Sequence, residues 1–129
     1  MPSIPADYRD LFEKQTFAHV ATLQSDGAPH VTPVWIDYDE EENRLLVNTE
    51  RGRQKHRNVE RDSKVGVSMT DPENPYRHLS VVGVVDEVTT EGAREHIDEL
   101  SRRYTGEDYQ NEIQTERILL KIRPERVLT

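Results

Sequence analysis

The chain has 129 residues and a formal net charge of −8, with 25 acidic residues against 17 Lys and Arg. This length predicts a single domain, residues 1–129, that can bury a core without covalent staples. Cysteine is absent, which excludes disulfides and thiolate sites, and the lack of a membrane-length apolar run or of a signal-peptide core after Met1 predicts a cytoplasmic protein with no membrane partner.

Hydrophobic periodicity predicts a short helix and three strands in the first part of the chain. The helix is expected over Pro5–Lys14, and the strands are expected over Phe17–Leu23, Pro29–Tyr38 and Arg44–Thr49. Pro33 cannot donate to a strand ladder, so a break, an edge or a bulge is expected there.

Three further strands and a long helix are predicted in the second part. The strands are expected over Lys64–Thr70, Leu79–Val88 and Arg117–Ile122, the helix over Glu91–Tyr104, and a loop over Asp71–His78 because it holds two prolines. The apolar run within Leu79–Val88 predicts a strand covered on both faces, with a second subunit as one cover. About six antiparallel strands without βαβ repeats predict a mainly β fold, a β-barrel with accessory helices.

A basic cluster interrupts this acidic chain after the third strand. Arg51, Arg53, Lys55, His56 and Arg57 fall within seven positions that hold no acid. Since this segment carries +4 from Lys and Arg, the rest of the chain sums to −12. The segment is expected to begin a short helix, and cations at a helix start oppose the helix dipole. An anion such as a phosphate group would relieve that mismatch.

The basic cluster has two other interpretations. It could be a solvated face neutralised by Glu60, Asp62 and the acidic loops, which is the common role of a surface charge run. Nucleic-acid binding is disfavoured, because the rest of the chain is strongly acidic and no aromatic residue lies between Arg44 and Tyr76 to stack on bases. We therefore expect no nucleic-acid partner.

Motifs of a self-sufficient enzyme are missing from the sequence. The five histidines do not fall at metal-ligand spacing, so no metal site is expected, and there is no nucleophile elbow or Gly-rich nucleotide loop. No catalytic side chain can be assigned. An anion site without nucleophile or metal favours a phosphorylated cofactor that carries the reaction.

Three segments resemble the pyridoxamine 5′-phosphate oxidase-like family of FMN-binding split barrels, and in particular its small branch that uses the deazaflavin coenzyme F-420. They are the segments 30–35 (HVTPVW), 46–58 (LVNTERGRQKHRN) and 71–77 (DPENPYR) followed by Gly83, and the segment 103–109 (RYTGEDY) is similar to that branch as well. The resemblance implies a split β-barrel homodimer with two cofactor sites at the subunit interface, each holding FMN or the deazaflavin.

The resemblance also implies which residues hold the cofactor. The phosphate would be surrounded by Asn48, Thr49, Arg53, Lys55 and Asn58, and Arg51 and Gly52 are also expected in the cofactor site. The strand Thr32, Pro33, Val34 and Trp35 would lie beside the ring. Tyr76 and Arg77 would come from the other subunit. Gln54 stands where the oxidases of the family often have a basic residue, and the chain is shorter than those oxidases, so oxidation of pyridoxamine phosphate itself is not expected.

The leading hypothesis is an oxidoreductase that transfers hydride between a bound deazaflavin or FMN and a small organic substrate. The alternative is a non-catalytic flavin or deazaflavin carrier, or a regulatory protein of the same fold. Only four of the 17 basic residues are Lys, and this composition is typical of halophilic proteins, so a halophilic archaeal source is expected. In concentrated salt the Debye length is ~3 Å or less, so an anion must be held by directed hydrogen bonds.

Overall fold

The computed structural model describes residues 2–129 and consists of seven strands, two α-helices and one short 3-10 helix. The 3-10 helix is Ala6–Phe12 and the α-helices are α1, Gln54–Arg61, and α2, Ala93–Thr105. The strands are β1, Ala18–Leu23; β2, Pro29–Val34; β3, Asp37–Asp39; β4, Arg44–Glu50; β5, Lys64–Asp71; β6, Asn74–Thr89; and β7, Arg117–Leu128.

All seven strands form one antiparallel sheet in the order β2-β1-β5-β6-β7-β4-β3. The mainly β fold is confirmed, but the expected number of about six strands was too low. Pro29–Tyr38 is not one strand: β2 ends at Val34, and β3 begins at Asp37 on the opposite edge of the sheet. Pro33 lies in an edge strand, which is one of the three alternatives expected for it.

The two edges of the sheet are joined by only Trp35 and Ile36. Three peptide steps from Val34 to Asp37 span at most ~11 Å, so the sheet must curl until its edges approach each other. The Tyr104 hydroxyl accepts from the Ile36 N–H at 3.2 Å, and Arg103 donates to the Ile36 carbonyl at 3.1 Å. The end of α2 therefore holds this link at the split in the barrel.

The segment 71–78 is a second departure from the expected elements. Instead of a loop, β5 and β6 form a hairpin in which the Glu73 N–H donates to the Asp71 carboxylate at 2.9 Å. The register passes from Asp71 opposite Asn74 to Thr70 opposite His78. Pro75 lies in the bulge between these pairs, where its missing N–H breaks no ladder hydrogen bond.

The core lies inside the curled sheet and is built from alternate residues of the strands. Val65, Val67 and Met69 of β5 face inward as their alternation predicted. A smaller cluster of Leu46, Leu119 and Ala93 packs α2 on the outer face of β4 and β7. This arrangement places the ends of β4, β7, α1 and α2 close together.

Candidate functional site

A cavity of about 350 Å³ lies where these elements meet the Trp35–Ile36 link. One part is polar and is lined by Asn48, Thr49, Arg53, Lys55, Asn111 and Arg117. The other part is apolar and aromatic and is lined by Phe17, Pro33, Val34, Trp35, Ile97, Leu100 and Tyr109. A cavity of this size that combines apolar walls with a few convergent polar groups is typical of a small-molecule site.

Lys55 is the notable cation of the polar part. It is half-buried in the first turn of α1, and no hydrogen bond or ion pair joins its amino group to any residue within 2–129. Burial lowers the pKa of Lys55, and the charges of Arg53 and Arg117 lower it further. An anion bound here would reverse this penalty, because an opposite charge favours the protonated amine.

Arg117 is the second cation and is the more deeply buried, with 7% of its surface exposed. Its Nε donates to the Asn48 Oδ1 at 2.8 Å, and its guanidinium lies over the Tyr109 ring at 5.0 Å. Burial lowers its pKa although Tyr109 and Glu50 act in the opposite direction. The guanidinium retains donors for a ligand, since only Nε has a short hydrogen bond.

The start of α1 adds backbone donors to the polar part. Arg53 is the N-cap residue, and no side chain caps the helix. The N–H groups of a first turn have no partners within their own helix, and here they lie beside Lys55. Free N–H groups and fixed positive charge are together suited to a phosphate group.

The aromatic part of the cavity is preassembled. Trp35 stacks on Tyr104 with ring centroids 5.2 Å apart and an interplanar angle of 16°, and the Tyr109 ring meets Trp35 edge-on at 6.4 Å. The Phe17 ring packs against Tyr104, with ring centroids 5.6 Å apart. Packed rings of this kind form a rigid wall for a planar ligand.

The other residues of the basic cluster are held by partners within the chain. Arg51 is paired with Glu116, and Arg53 lies 3.3 Å from Glu50. His56 accepts the Gly52 N–H at 2.9 Å, and Arg57 donates to the Gly52 carbonyl at 2.6 Å. Glu116 and Glu50 neutralise Arg51 and Arg53 in place of the expected Asp62, while Arg53 and Lys55 both line the cavity.

The structure brings together about half of the residues that the sequence suggested. Those that line the cavity are Pro33, Val34, Trp35, Asn48, Thr49, Arg53 and Lys55. Those that do not line it are Thr32, Arg51, Gly52, Asn58, Tyr76 and Arg77. Arg51 and Gly52 line a separate depression beside the cavity.

The residues outside the cavity have identifiable surroundings. Asn58 is fully buried and donates to the Thr22 hydroxyl at 2.9 Å. Arg77 on the β5–β6 hairpin is bound to Asp10 and Asp71 at 2.7 and 2.8 Å. Tyr76 is 89% exposed, so its side chain is accessible to another molecule.

Six cavity residues were not among the sequence-based candidates: Phe17, Ile97, Leu100, Tyr109, Asn111 and Arg117. Tyr109 lies in the segment 103–109 that supported the resemblance, so a signal for it existed. Arg117 follows Glu116 at the start of a strand, a pattern that indicates only an exposed charge pair. Its place in the cavity depends on the pairing of β7 with β4.

The family model for pyridoxamine 5′-phosphate oxidase matches residues 4–129. The chain belongs to this family. The curled sheet with its split edges is the split-barrel fold expected from the resemblance. No curated protein gives a significant match to the sequence.

Solved structures with the same fold include one named F420 reductase, which is 31% identical to this chain, with a TM-score of 0.84 over 97% of this chain and 98% of the other. A conserved hypothetical protein from Mycobacterium tuberculosis is 24% identical, with a TM-score of 0.76 over 98% and 84% of the two chains. HupZ from Group A Streptococcus is 23% identical, with a TM-score of 0.69 over 96% and 91%. The last two are similar in fold alone.

The part of the chain that the structure describes offers neither a membrane-spanning helix nor a cluster of metal ligands. Among residues 2–129, no helix is both long and apolar enough to span a membrane. Over the same range, no three His, Asp or Glu side chains are grouped so that they could hold a metal ion.

Proposed function

We propose that this member of the family is an oxidoreductase that binds the deazaflavin coenzyme F-420, or else FMN, in the described cavity and transfers hydride between it and a small organic substrate. The observation that carries the proposal is Lys55, a half-buried cation without a partner within residues 2–129, beside Arg53 and Arg117. The residues present fit a phosphorylated, ring-bearing cofactor.

The phosphate would be held by Lys55, Arg53, Arg117 and the uncapped start of α1. Directed donors matter here because charge attraction alone is screened in concentrated salt. Asn48 and Thr49 lie near the end of β4 and also line the cavity. A role of Asn58 near the phosphate, and of Arg51 and Gly52 in the cofactor site, stays a prediction from the sequence.

The ring would lie against the aromatic part of the cavity, beside Pro33, Val34 and Trp35. The deazaflavin is favoured over FMN by the sequence segments that resemble the deazaflavin branch, and by the 31% identity to a structure named F420 reductase. When bound, the cofactor supplies a ring that accepts or gives up a hydride. The protein would keep one ring face open to a substrate at near-attack distance, about 3–3.5 Å.

A homodimer completes the proposal. One outer face of the sheet is at least partly exposed and carries one histidine among apolar and small residues: His19, Ala21, Val31, Gly66, Ser68, Ser80 and Val82. We call this set the outer-face patch. Val31 is 56% exposed within it, and burying it against a second copy would remove apolar surface from water. Tyr76, and by the resemblance Arg77, would then reach the partner's cavity.

Turnover with a reduced cofactor tests the oxidoreductase activity. The protein is mixed with reduced coenzyme F-420 and separately with reduced FMN, and candidate acceptors such as quinones and conjugated carbonyl compounds are added. We expect acceptor-dependent reoxidation that is faster than in a protein-free control. Binding of the cofactor without any acceptor-dependent reoxidation would contradict catalysis and favour the carrier alternative.

A further inference from the structure

We infer that His96 is a positioning residue that acts through Asn48 to fix the Arg117 guanidinium at the cavity. The inference rests on the proposed function for the ligand that Arg117 serves, but the arrangement of the three side chains can be tested without that ligand. His96 lies on α2, is buried and does not line the cavity.

The side-chain amide of Asn48 connects the two residues. Its Oδ1 accepts from the Arg117 Nε at 2.8 Å. Its Nδ2 donates to the Ala93 carbonyl at 2.8 Å and lies 3.2 Å from the His96 Nδ1. Both N–H groups of the amide are therefore used. Asn48 serves the cavity through Arg117 and not as a donor to a phosphate.

These contacts also assign the tautomer of His96. The Asn48 Nδ2 can only donate, so the facing Nδ1 of His96 must be the acceptor. The proton then lies on Nε2, which donates to the Asp37 Oδ2 at 3.0 Å. Burial opposes ionisation of Asp37, but hydrogen bonds from His96 and Arg103 outweigh it and lower the pKa of the carboxyl group. An ionised Asp37 stabilises this tautomer.

The assigned tautomer keeps Oδ1 of Asn48 facing Arg117. If the amide were turned over, its N–H groups would face the donor Nε of Arg117 and its oxygen would face the Ala93 carbonyl. Other contacts of the guanidinium are longer: Nη1 lies 3.4 Å from the Tyr109 hydroxyl and 3.8 Å from Glu50. The hydrogen bond to the Asn48 amide is thus the shortest contact of the guanidinium, and it orients the remaining N–H groups toward a ligand.

The test compares His96→Leu, which removes both ring nitrogens, with His96→Gln, which keeps one acceptor and one N–H donor. The first readout is the ¹H–¹⁵N signal of the Arg117 Nε–H, assigned by its loss in Arg117→Lys. The second is the affinity for coenzyme F-420 or FMN, using the one that the wild-type protein binds more tightly. Should His96→Leu fail to fold, His96→Met removes the same nitrogens with a more adaptable side chain.

We expect His96→Leu to shift the Nε–H signal and speed its exchange with water, and to weaken cofactor binding about fivefold, the scale of one neutral hydrogen bond. His96→Gln should restore both. An Nε–H signal that is unchanged in His96→Leu would overturn the inference even if the cofactor binds. If the wild-type protein bound neither cofactor, the proposed function would fail, and the Nε–H signal would still decide the role of His96.

Discussion

Arg117 stands opposite Glu50 in the register of β4 and β7, yet its Nε donates to Asn48, two residues earlier on β4, at 2.8 Å. The nearest carboxylate oxygen of Glu50, Oε2, lies 3.8 Å from the Arg117 Nη1, while its Oε1 accepts the N–H groups of Gln114 and Thr115, both at 2.9 Å. These backbone hydrogen bonds, together with Arg53, lower the pKa of Glu50 despite its burial. The positive charge of Arg117 therefore has no close carboxylate partner within residues 2–129 and is available to a ligand in the cavity.

Replacement of Lys55 by Ala should weaken cofactor binding about 10- to 100-fold, since a hydrogen bond to a charged group contributes ~1.5–3 kcal/mol. The free energy of unfolding without cofactor should stay the same or rise, because the repulsion from Arg53 and Arg117 is relieved. Calorimetric titration and urea unfolding measure the two effects. Lys64→Ala, an exposed lysine on β5, is the control. Equal affinity of Lys55→Ala and wild type would contradict the assignment of the phosphate.

Charged substitutions in the outer-face patch should separate the proposed dimer. Val31→Asp and Val82→Asp would each place a carboxylate on an apolar contact, and burying an unpaired charge is strongly unfavourable. Light scattering coupled to size exclusion should give the mass of two chains for the wild type and of one chain for these variants. Ala28→Asp, at an exposed position in the turn before β2, should stay dimeric. A wild-type protein that is monomeric at high concentration would refute this role of the patch.

Asp71 should contribute to stability at neutral pH and lose that contribution in acid. Its carboxylate accepts the Glu73 N–H and pairs with Arg77 and Lys14, and these contacts lower its pKa from 3.8 to about 2. A carboxyl group with a depressed folded-state pKa stabilises above its unfolded pKa, and the effect is lost as pH falls through the folded value. Urea unfolding of Asp71→Asn should therefore show a deficit at pH 7 that closes between about pH 4 and pH 2.

The control for this experiment is Glu41→Gln, which alters an exposed carboxyl group that has no hydrogen-bond partner within residues 2–129. It should match the wild type at every pH. A deficit of Asp71→Asn that stayed constant down to pH 2 would show that the ionised form of Asp71 is not what stabilises the hairpin.

Replacement of Gly83 by Ala should destabilise the protein by ~1–3 kcal/mol, the usual cost of overpacking. An added Cβ would lie 2.5 Å from the Arg123 carbonyl oxygen and 2.9 Å from the Ile122 Cγ2, at a register shift between β6 and β7. At Gly66 the nearest atom of the chain would be the Ala21 Cβ at 3.9 Å, so Gly66→Ala is the matched control. Because Gly66 belongs to the outer-face patch, both variants are compared in a Val31→Asp background, which removes the proposed dimer contact. Equal urea midpoints for the two variants would contradict the close approach of the Gly83 backbone to Ile122 and Arg123.

Local patterns predicted the elements of this fold better than they predicted the site. The periodicities that predicted a strand over Lys64–Thr70 and a helix over Glu91–Tyr104 are local signals, and both elements are confirmed. A break near Pro33 was expected only as one alternative, and the strand was extended to Tyr38 because Trp35 and Ile36 continue an apolar, strand-like pattern. What separates β2 from β3 is the closure of the sheet, which depends on contacts with Arg103 and Tyr104 on α2.

The cavity shows the same division between local and distant information. Lys55 could be found because the basic cluster and the helix start are adjacent in sequence. Arg117 could not, since the residue that fixes it, Asn48, is 69 positions away. The sequence likewise could not show that Arg51 would pair with Glu116, which is 65 positions away and approaches it only in the folded sheet.

The central claim is that the cavity beside Lys55 and Trp35 binds a phosphorylated flavin-type cofactor. The most direct test is a titration of the purified protein in high salt with coenzyme F-420 and with FMN. Binding is measured by calorimetry and by the fluorescence of Trp35, the chain's one tryptophan. We expect tight binding of coenzyme F-420, weaker binding of FMN, and quenching of Trp35 at the same stoichiometry. Binding of neither cofactor, or binding that leaves the fluorescence of Trp35 unchanged, would contradict the claim.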